Sequence, residues 1–363
     1  MTTVGLGLPG VRTARPRTDP ARPDDPRLVD RYGRVATDLR VSLTDRCNLR
    51  CSYCMPEDGL EWLPDDLALT DDEVVRLVTV AVRDLGVEEV RFTGGEPLLR
   101  KGLEKIVEET TALTTSAGHR VSTSLTTNAL GLRRRAAGLA AAGLERLNVS
   151  LDTLSPQRFE AITRRDRHAD VLAGLAAARD AGLAPIKVNA VLLRGTNDDE
   201  APDLLRWALQ EGYELRIIEQ MPLDAQGGWE RREMVTAAEV LTALSGRFTL
   251  TPMPSADRGA APAERFAVAA GDDHPAGTVG IIASVTRSFC GACDRTRLTA
   301  DGQLRDCLFA RGETDLRALL RGGAGDDEIA AAWRQAMWRK RAGHGIDDPS
   351  FVQPDRPMSA IGG

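Results

Sequence analysis

The sequence predicts an α/β fold in which parallel strands alternate with helices along most of the chain. Three observations support this prediction: short apolar runs typical of buried strands occur six times, helical stretches separate most of them, and polar residues gather where the runs end. Six strand–helix units are too few for a closed eightfold barrel, so we expect a partial (βα)6 TIM-like barrel. A flat, doubly wound sheet is the alternative architecture.

The predicted strands are rich in apolar and β-branched residues and cover residues 39–43, 89–93, 120–126, 146–150, 186–193 and 214–219. The predicted helices cover residues 70–85, 98–116, 133–142, 156–162, 169–181 and 200–211. The first helix has the clearest boundaries, because Thr70 and Glu73 form a capping box and Gly86 follows the last turn. These elements define a predicted barrel domain over residues 31–245.

The two ends of the chain differ in composition from this region. Residues 1–30 are rich in Pro, Arg, Asp and Gly and are expected to form a disordered leader. Residues 5–10 match G-x-G-x-x-G by letter, but no strand precedes them, so we reject a dinucleotide site there. After the barrel, we expect a C-terminal α+β module over residues 246–345, with short strands and a last helix. A tail over residues 346–363 follows and ends in Gly362-Gly363.

Composition excludes several classes of function. The chain has 363 residues and a net charge of −6, so no general basic field attracts nucleic acid. No apolar run reaches the roughly 18 residues that a membrane span needs, and the N-terminus lacks the apolar core of a signal peptide. We therefore expect a cytoplasmic protein that binds neither nucleic acid nor membrane.

The six cysteines fall into two groups of three, which we call the first and second triads. The first triad is Cys47, Cys51 and Cys54, in C-x3-C-x2-C spacing, and the second is Cys290, Cys293 and Cys307. Three thiols cannot all pair within a triad, and long chains of this kind are not disulfide frameworks. Three thiolates can instead hold three irons of a [4Fe–4S] cube and leave the fourth iron open. Zinc is the alternative, but each triad then lacks an obvious fourth ligand.

Polar residues follow the predicted strands at the points where they end. The first triad follows the first strand, Gly94-Gly95-Glu96-Pro97 follows the second, and Thr126, Ser150 and Met221 lie at or near the ends of later strands. The carboxyl ends of parallel strands form the ligand face of such folds, so we expect these residues to share one rim.

The first triad, with Tyr53 before its last cysteine, resembles the signature of the radical S-adenosylmethionine (SAM) superfamily. Gly94-Gly95-Glu96-Pro97 resembles the second motif of that superfamily. The resemblance implies that the open iron chelates the methionyl end of SAM. Backbone exposed at the two glycines, with the Glu96 carboxylate, would receive the SAM ammonium. One electron from the cluster would then cleave SAM and yield a 5′-deoxyadenosyl radical.

Three further segments are similar to the GTP 3′,8-cyclase family of molybdenum cofactor biosynthesis. They are residues 195–200, residues 298–302 and the Ile361-Gly362-Gly363 terminus, and the likeness covers about residues 39–363. The resemblance implies a lyase that abstracts the ribose 3′ hydrogen of GTP and joins C3′ to C8 of guanine. The product would be (8S)-3′,8-cyclo-7,8-dihydroguanosine 5′-triphosphate.

The motifs and the resemblance together imply a set of site residues and two [4Fe–4S] clusters, one on each triad. The implied SAM contacts are Tyr53, Gly94, Gly95, Glu96, Ser150 and Met221. The implied GTP contacts are Arg40, Arg91, Thr126, Lys187, Arg295, Thr296 and Arg297. Catalytic roles are implied for Cys47, Cys51, Cys54, Lys187, Gly362 and Gly363, since a terminus without side chains can enter a narrow site.

The arginines near the second triad also indicate an anionic ligand without reference to any family. Arg295 and Arg297 alternate on an extended segment beside Cys293, so both can face one ligand, and guanidinium groups suit phosphate oxygens. A solvated surface pair is the alternative. None of the four lysines precedes Ser or Thr, so a bound nucleotide is not held by a P-loop.

The resemblance also implies partners. These are GTP, cyclic pyranopterin monophosphate synthase as the downstream enzyme, and a low-potential electron donor such as flavodoxin or ferredoxin; a homodimer is possible. Two other functions stay open from the sequence. One is a radical SAM enzyme that modifies peptides or proteins, and the other is a non-catalytic zinc or iron–sulfur carrier.

Overall fold

The structure, a computed structural model, describes residues 19–362. Most of the predicted leader, including the rejected G-x-G-x-x-G match, and the terminal Gly363 lie outside the described residues. Six parallel strands form the centre of the fold: β1 (Asp38–Ser42), β2 (Glu89–Thr93), β3 (Ser122–Thr127), β4 (Arg146–Ser150), β5 (Ile186–Val191) and β6 (Glu214–Ile218).

Each of these strands pairs in parallel with the next one along the chain. The order β1 to β6 has no reversal, whereas a doubly wound sheet reverses its strand order at a switch point. The predicted partial barrel is therefore confirmed, and the flat doubly wound alternative is wrong.

Helices connect the strands and cover the outer side of the sheet. They are α1 (Asp71–Asp84), α2 (Leu103–Thr111), α3 (Leu132–Ala141), α4 (Pro156–Thr163), α5 (His168–Asp180) and α6 (Ala201–Glu211). The Thr70 hydroxyl accepts from the Glu73 amide, and the Glu73 carboxylate accepts from the Thr70 amide, as the capping box predicts. The helix expected over residues 98–116 is shorter, because a short 3₁₀ turn and Gly102 precede α2 and Thr114 pairs with Arg120 after it.

The chain after residue 230 extends the same sheet at both edges. Its elements are α7 (Ala237–Ser245), β7 (Leu250–Pro252), β8 (Glu264–Val268), β9 (Gly277–Ile282), β10 (Arg295–Leu298), β11 (Gln303–Arg305), β12 (Thr314–Asp315), α8 (Leu316–Arg321), α9 (Asp326–Trp338) and α10 (Met358–Ile361). Strand β9 pairs in parallel with β6, and β10 pairs in parallel with β1. The expected C-terminal module therefore shares the barrel sheet instead of forming its own, and its boundaries stay a prediction.

Residues 19–30 pack against the body of the protein. Leu28 is fully buried in the main hydrophobic core, Val29 pairs with Val35, and the Asp19 amide donates to Gln335 Oε1 (3.0 Å). One buried apolar residue and a few hydrogen bonds thus anchor residues 19–30; the extent of the disordered leader stays a prediction. Within residues 19–362, no helix combines the length and apolar character that a membrane span requires.

Trp333 on α9 packs the C-terminal part of the chain against the sheet. Its side chain is fully buried, and its indole Nε1 donates to Thr296 Oγ1 on β10 (3.1 Å). A buried tryptophan contributes both a large apolar surface and one hydrogen bond. Helix α9 therefore supports the strand that carries Arg295 and Arg297.

We expect Trp333→Ala to lower the free energy of unfolding by about 3–5 kcal/mol, the cost of removing a large aromatic from a packed core. Urea unfolding of the cluster-free chain, followed by far-ultraviolet circular dichroism, measures this change. Trp338→Ala is the matched control, because Trp338 is only half-buried at the end of the same helix. Equal losses in the two variants would contradict the packing role of Trp333.

Candidate active site

The loop that carries the first triad is fastened to the C-terminal end of α4. The Arg50 amide donates to Thr163 O, and the Ser52 amide donates to Ile162 O, both at 2.9 Å. Arg164 has a left-handed backbone (φ 56°), and its guanidinium donates to the carbonyls of Arg50 (2.9 Å) and Met55 (3.2 Å). The triad is therefore held on a fixed loop and not on a free one.

Gly94 and Gly95 allow the backbone after β2 to pack directly against the backbone of residues 44–46. The Gly95 amide donates to Thr44 O (2.7 Å), and the Glu96 amide donates to Arg46 O (2.8 Å). A Cβ at either glycine would collide with carbonyl oxygens of residues 44–46, and Gly94 also has a positive φ of 145°. Only glycine fits both positions, so this pair fixes the start of the first-triad loop.

Glu96 is held inside the protein by hydrogen bonds. Its carboxylate is fully buried and accepts from Thr127 Oγ1 (2.7 Å), the Asn128 amide (2.7 Å) and the Leu98 amide (2.9 Å). Burial raises the pKa of Glu96 to about 7, although these hydrogen bonds oppose the shift. Glu96 does not line the cavity described below and braces β2 against the end of β3; its contact with SAM stays a prediction.

Both triads line one cavity that runs through the barrel. The first triad follows β1 and lies at the carboxyl end of the strands. Cys290 and Cys293 come directly before β10, and Cys307 follows β11, which is antiparallel to β10. Because β10 is parallel to β1, the second triad lies at the amino end, not on the carboxyl rim. The two triads therefore face each other from opposite ends of the barrel.

The electrostatic surroundings of the triads differ. Burial raises the pKa of Cys47 to about 11 and that of Cys54 to about 12. Burial also acts to raise the pKa of Cys293, but the charges of Arg295 and Lys340 outweigh it and lower the pKa to about 6. The cations beside Cys293 thus favour its thiolate, whereas burial raises the pKa of Cys307.

The thiols fit an iron–sulfur cluster better than a single metal ion. All six cysteines are free and half-buried against the cavity. Among residues 19–362, no three His, Cys, Asp or Glu side chains converge on a position where one metal ion could bind. A tetrahedral zinc site requires such convergence, whereas a cube spreads its cysteine ligands over separate irons.

Three arginines stand at the same level on neighbouring strands inside the barrel. Arg297 on β10 pairs in register with Arg40 on β1, which pairs with Arg91 on β2. Burial, and then the charge of Arg91, lower the pKa of Arg40 well below its usual value. Arg40 Nε and Arg295 Nη2 are buried without a hydrogen-bond partner. Asp38 lies 3.8 Å from Arg40, and Glu89 pairs with Arg91 at 3.0 Å. The guanidinium nitrogens that still lack an acceptor favour a polyanionic ligand.

Most of the predicted site residues line this cavity. They are the six cysteines together with Tyr53, Gly94, Gly95, Ser150, Met221, Arg40, Arg91, Thr126, Arg295 and Arg297. Lys187 does not line it, although it alternates with Asn189, which does. Burial, and then the charge of Arg216, lower the pKa of Lys187 to about 8.

Thr296 is a second predicted site residue that does not line the cavity. It lies between Arg295 and Arg297 on β10, and successive residues of a strand point to opposite faces. Its side chain is fully buried on the outer face, where it accepts from Trp333. Thr296 therefore supports the strand and does not reach the cavity.

The C-terminal tail enters the barrel beside the arginines. Arg297 Nη1 donates to Gly362 O (2.9 Å), and a Cβ at Gly362 would lie 2.7 Å from Thr93 Cγ2. Gly362 also has a positive φ of 84°, so the position requires glycine for both reasons. The predicted approach of the tail to the site agrees with this position up to Gly362.

Sequence reasoning missed Arg216 and gave Asp152, which follows β4, no role, yet both line the cavity. Arg216 alternates with Glu214 on β6, and charged residues at every second position of a buried strand are the signal that could have revealed it. Asp152 accepts from Tyr53 Oη (2.8 Å) and from the Val191 amide (2.9 Å), and burial raises its pKa to about 6. That contact depends on three-dimensional structure and leaves no mark in the sequence.

Two family models match the chain. Residues 41–208 match the Radical SAM superfamily, and residues 213–346 match Molybdenum Cofactor Synthesis C. The crystal structure of Streptococcus suis SuiB bound to S-adenosylmethionine is similar in fold, with a TM-score of 0.56 at 13% identity over 82% of this chain and 68% of that one. This likeness concerns the fold alone.

Proteins named GTP 3′,8-cyclase are similar over nearly the whole chain. The protein from Streptomyces coelicolor is 68% identical over 93% of this chain and 96% of its own length. The protein from Mycolicibacterium smegmatis is 61% identical over 100% of both chains. The chain therefore belongs to the radical SAM superfamily and, within it, to the GTP 3′,8-cyclase family.

Proposed function

We propose that this chain converts GTP to (8S)-3′,8-cyclo-7,8-dihydroguanosine 5′-triphosphate, the first step of molybdenum cofactor biosynthesis. The observation that carries the proposal is one cavity lined by two cysteine triads at opposite ends, with a row of buried arginines between them. The relatives named GTP 3′,8-cyclase support the same reaction.

Membership in the radical SAM superfamily implies a [4Fe–4S] cluster and SAM. Cys47, Cys51 and Cys54 are the thiols that would hold this cluster. When bound, it supplies the electron that cleaves SAM to a 5′-deoxyadenosyl radical, which abstracts the ribose 3′ hydrogen. Ser150, Met221 and the Tyr53–Asp152 pair line the cavity beside the triad and would orient SAM there.

The second cluster is part of the proposal and rests on Cys290, Cys293 and Cys307. These thiols are free and face the cavity, and cations lie beside Cys293. Three ligands leave one iron open, and that iron would meet the guanine base. The base would then lie near the amino end of the barrel and the SAM methionyl group near the carboxyl end.

The arginines inside the barrel would bind the triphosphate. Arg40, Arg91 and Arg297 present neighbouring guanidinium groups, and Arg295 adds a buried donor without a partner. Binding a polyanion relieves the repulsion among these cations, and this relief would add to the affinity for the substrate. Thr126 and Lys187 stay predicted GTP contacts.

A peptide-modifying radical SAM enzyme is the alternative function. The buried arginines favour a small polyanion over an extended peptide, so we prefer the nucleotide. The downstream synthase, the flavodoxin- or ferredoxin-like donor, the homodimer and the cytoplasmic location stay predictions.

Anaerobic turnover tests the proposed reaction. We expect reconstituted protein to bind about eight irons and, with dithionite, SAM and GTP, to form 5′-deoxyadenosine and the cyclised nucleotide, identified by mass spectrometry. ATP in place of GTP is the control substrate. Formation of 5′-deoxyadenosine at a rate that ignores GTP would contradict the assignment of the substrate.

We expect Arg40→Met to weaken GTP binding by about 10- to 150-fold, because a charge-assisted hydrogen bond contributes about 1.5–3 kcal/mol. Equilibrium dialysis with GTP measures the affinity, and iron content shows whether both clusters are retained. Arg133→Met is the matched control, since Arg133 is exposed on α3. An unchanged dissociation constant in Arg40→Met would remove Arg40 from the GTP site.

Deleting Gly362-Gly363 is expected to lower cyclisation without loss of iron, because the tail ends beside Arg297 and Thr93. Product formation in single-turnover experiments measures the effect. Gly362→Ala is a finer variant, since its methyl group would meet Thr93 at this narrow point. Full activity in both variants would show that the tail has no role in the reaction.

A further inference from the structure

Lys340 is a lysine buried inside the protein. It follows the last turn of α9 and is only 4% exposed. Its ammonium Nζ donates to Arg295 O (2.7 Å), lies 3.4 Å from Cys293 O, and lies 3.3 Å from Cys293 Sγ. A lysine normally extends its charge into water, so a burial of this degree requires compensation.

Among the acceptors of the Lys340 ammonium, the Cys293 sulfur is the one that carries negative charge when it binds iron. The Asp306 carboxylate acts on Lys340 through its charge. A buried cation costs several kcal/mol unless an anion or strong acceptors neutralise it. Two backbone carbonyls and the Cys293 sulfur fill the three donor positions of the ammonium. Lys340 therefore places its charge against one ligand residue of the second triad, Cys293.

The segment that carries Lys340 is fastened across the second triad. The Arg34 guanidinium donates to Cys290 O (2.6 Å), Ala342 O (2.8 Å) and Arg341 O (2.5 Å), and its Nε pairs with Asp30. One guanidinium thus binds the carbonyl of Cys290, a residue of the second triad, and the carbonyls of the two residues that follow Lys340. This arrangement fixes the distance between the ammonium and the triad.

The first triad has a different neighbour. There the side-chain donor to sulfur is a neutral amide, Asn128 Nδ2, at 3.8 Å from Cys47 Sγ. Adding an electron to a cluster adds negative charge. A cation and N–H···S hydrogen bonds at the cysteine sulfurs stabilise that reduced form and raise the reduction potential.

We propose that Lys340 is a positioning residue for the second triad, where its ammonium pairs with the Cys293 thiolate and raises the reduction potential of the cluster held there. The inference rests on the second cluster of the proposed function. The inference adds that the second cluster is easier to reduce than the first. The two clusters at the ends of the cavity would then differ in reduction potential as well as in the molecule that each binds.

The test uses the full chain with Cys47, Cys51 and Cys54 replaced by Ala, so that only the second cluster forms. In this background we compare Lys340→Met, Lys340→Arg and the exposed control Lys101→Met. Iron per chain and the midpoint potential, from a titration followed by electron paramagnetic resonance, are the two measurements. We expect a lower potential and faster loss of iron to a chelator in Lys340→Met, partial recovery in Lys340→Arg, and no change in Lys101→Met.

An unchanged midpoint potential in Lys340→Met with its iron retained would overturn the inference. If the background chain itself binds no iron, the second cluster of the proposed function fails, and the inference fails with it for that separate reason. If Lys340→Met does not fold, we compare two chains that keep Lys340. One is the background chain, and the other has Cys290, Cys293 and Cys307 replaced by Ala and so forms only the first cluster. A second cluster that is harder to reduce than the first would then overturn the inference.

Discussion

The parallel pairing of β10 with β1 determines where the chemistry of this protein can take place. The first triad leaves β1 at its carboxyl end, while Cys293 enters β10 at its amino end. An antiparallel pairing would have brought both triads to one rim and left no room for a substrate between them. With parallel strands, the length of the barrel separates the triads, and its interior becomes the binding space.

The same pairing explains the accumulation of positive charge inside the barrel. Register places Arg297, Arg40 and Arg91 side by side, and each loses hydration when the sheet forms. Asp38 on β1 offsets part of this charge, since Arg40 and then Arg91 lower its pKa against the effect of burial. The free protein keeps an excess of cations in a partly enclosed space, a cost in stability that a polyanion can remove. The repulsion among the arginines of the proposed substrate site thus lowers the stability of the free protein.

Much of this organisation could be predicted from the sequence, because it depends on local patterns. The strand positions, the capping box at Thr70 and the spacing of the first triad are local features, and the structure agrees with them. The sequence says less where a long-range contact decides what a side chain touches. Glu96 follows a motif that indicates a cofactor contact, yet Thr127 and Asn128 occupy its carboxylate. Thr296 lies between two cavity residues, but strand alternation turns it toward Trp333.

Arg297 connects β10 to the C-terminal tail inside the barrel. A guanidinium group has five N–H donors in a fixed plane, and the Gly362 carbonyl uses one of them. The remaining donors can bind phosphate without displacing the tail, so one side chain can hold both at once. Because Gly362 also packs against Thr93, a shift of Arg297 toward a bound triphosphate would move the tail with it. Under the proposed function, the position of the terminus would therefore depend on bound substrate through Arg297.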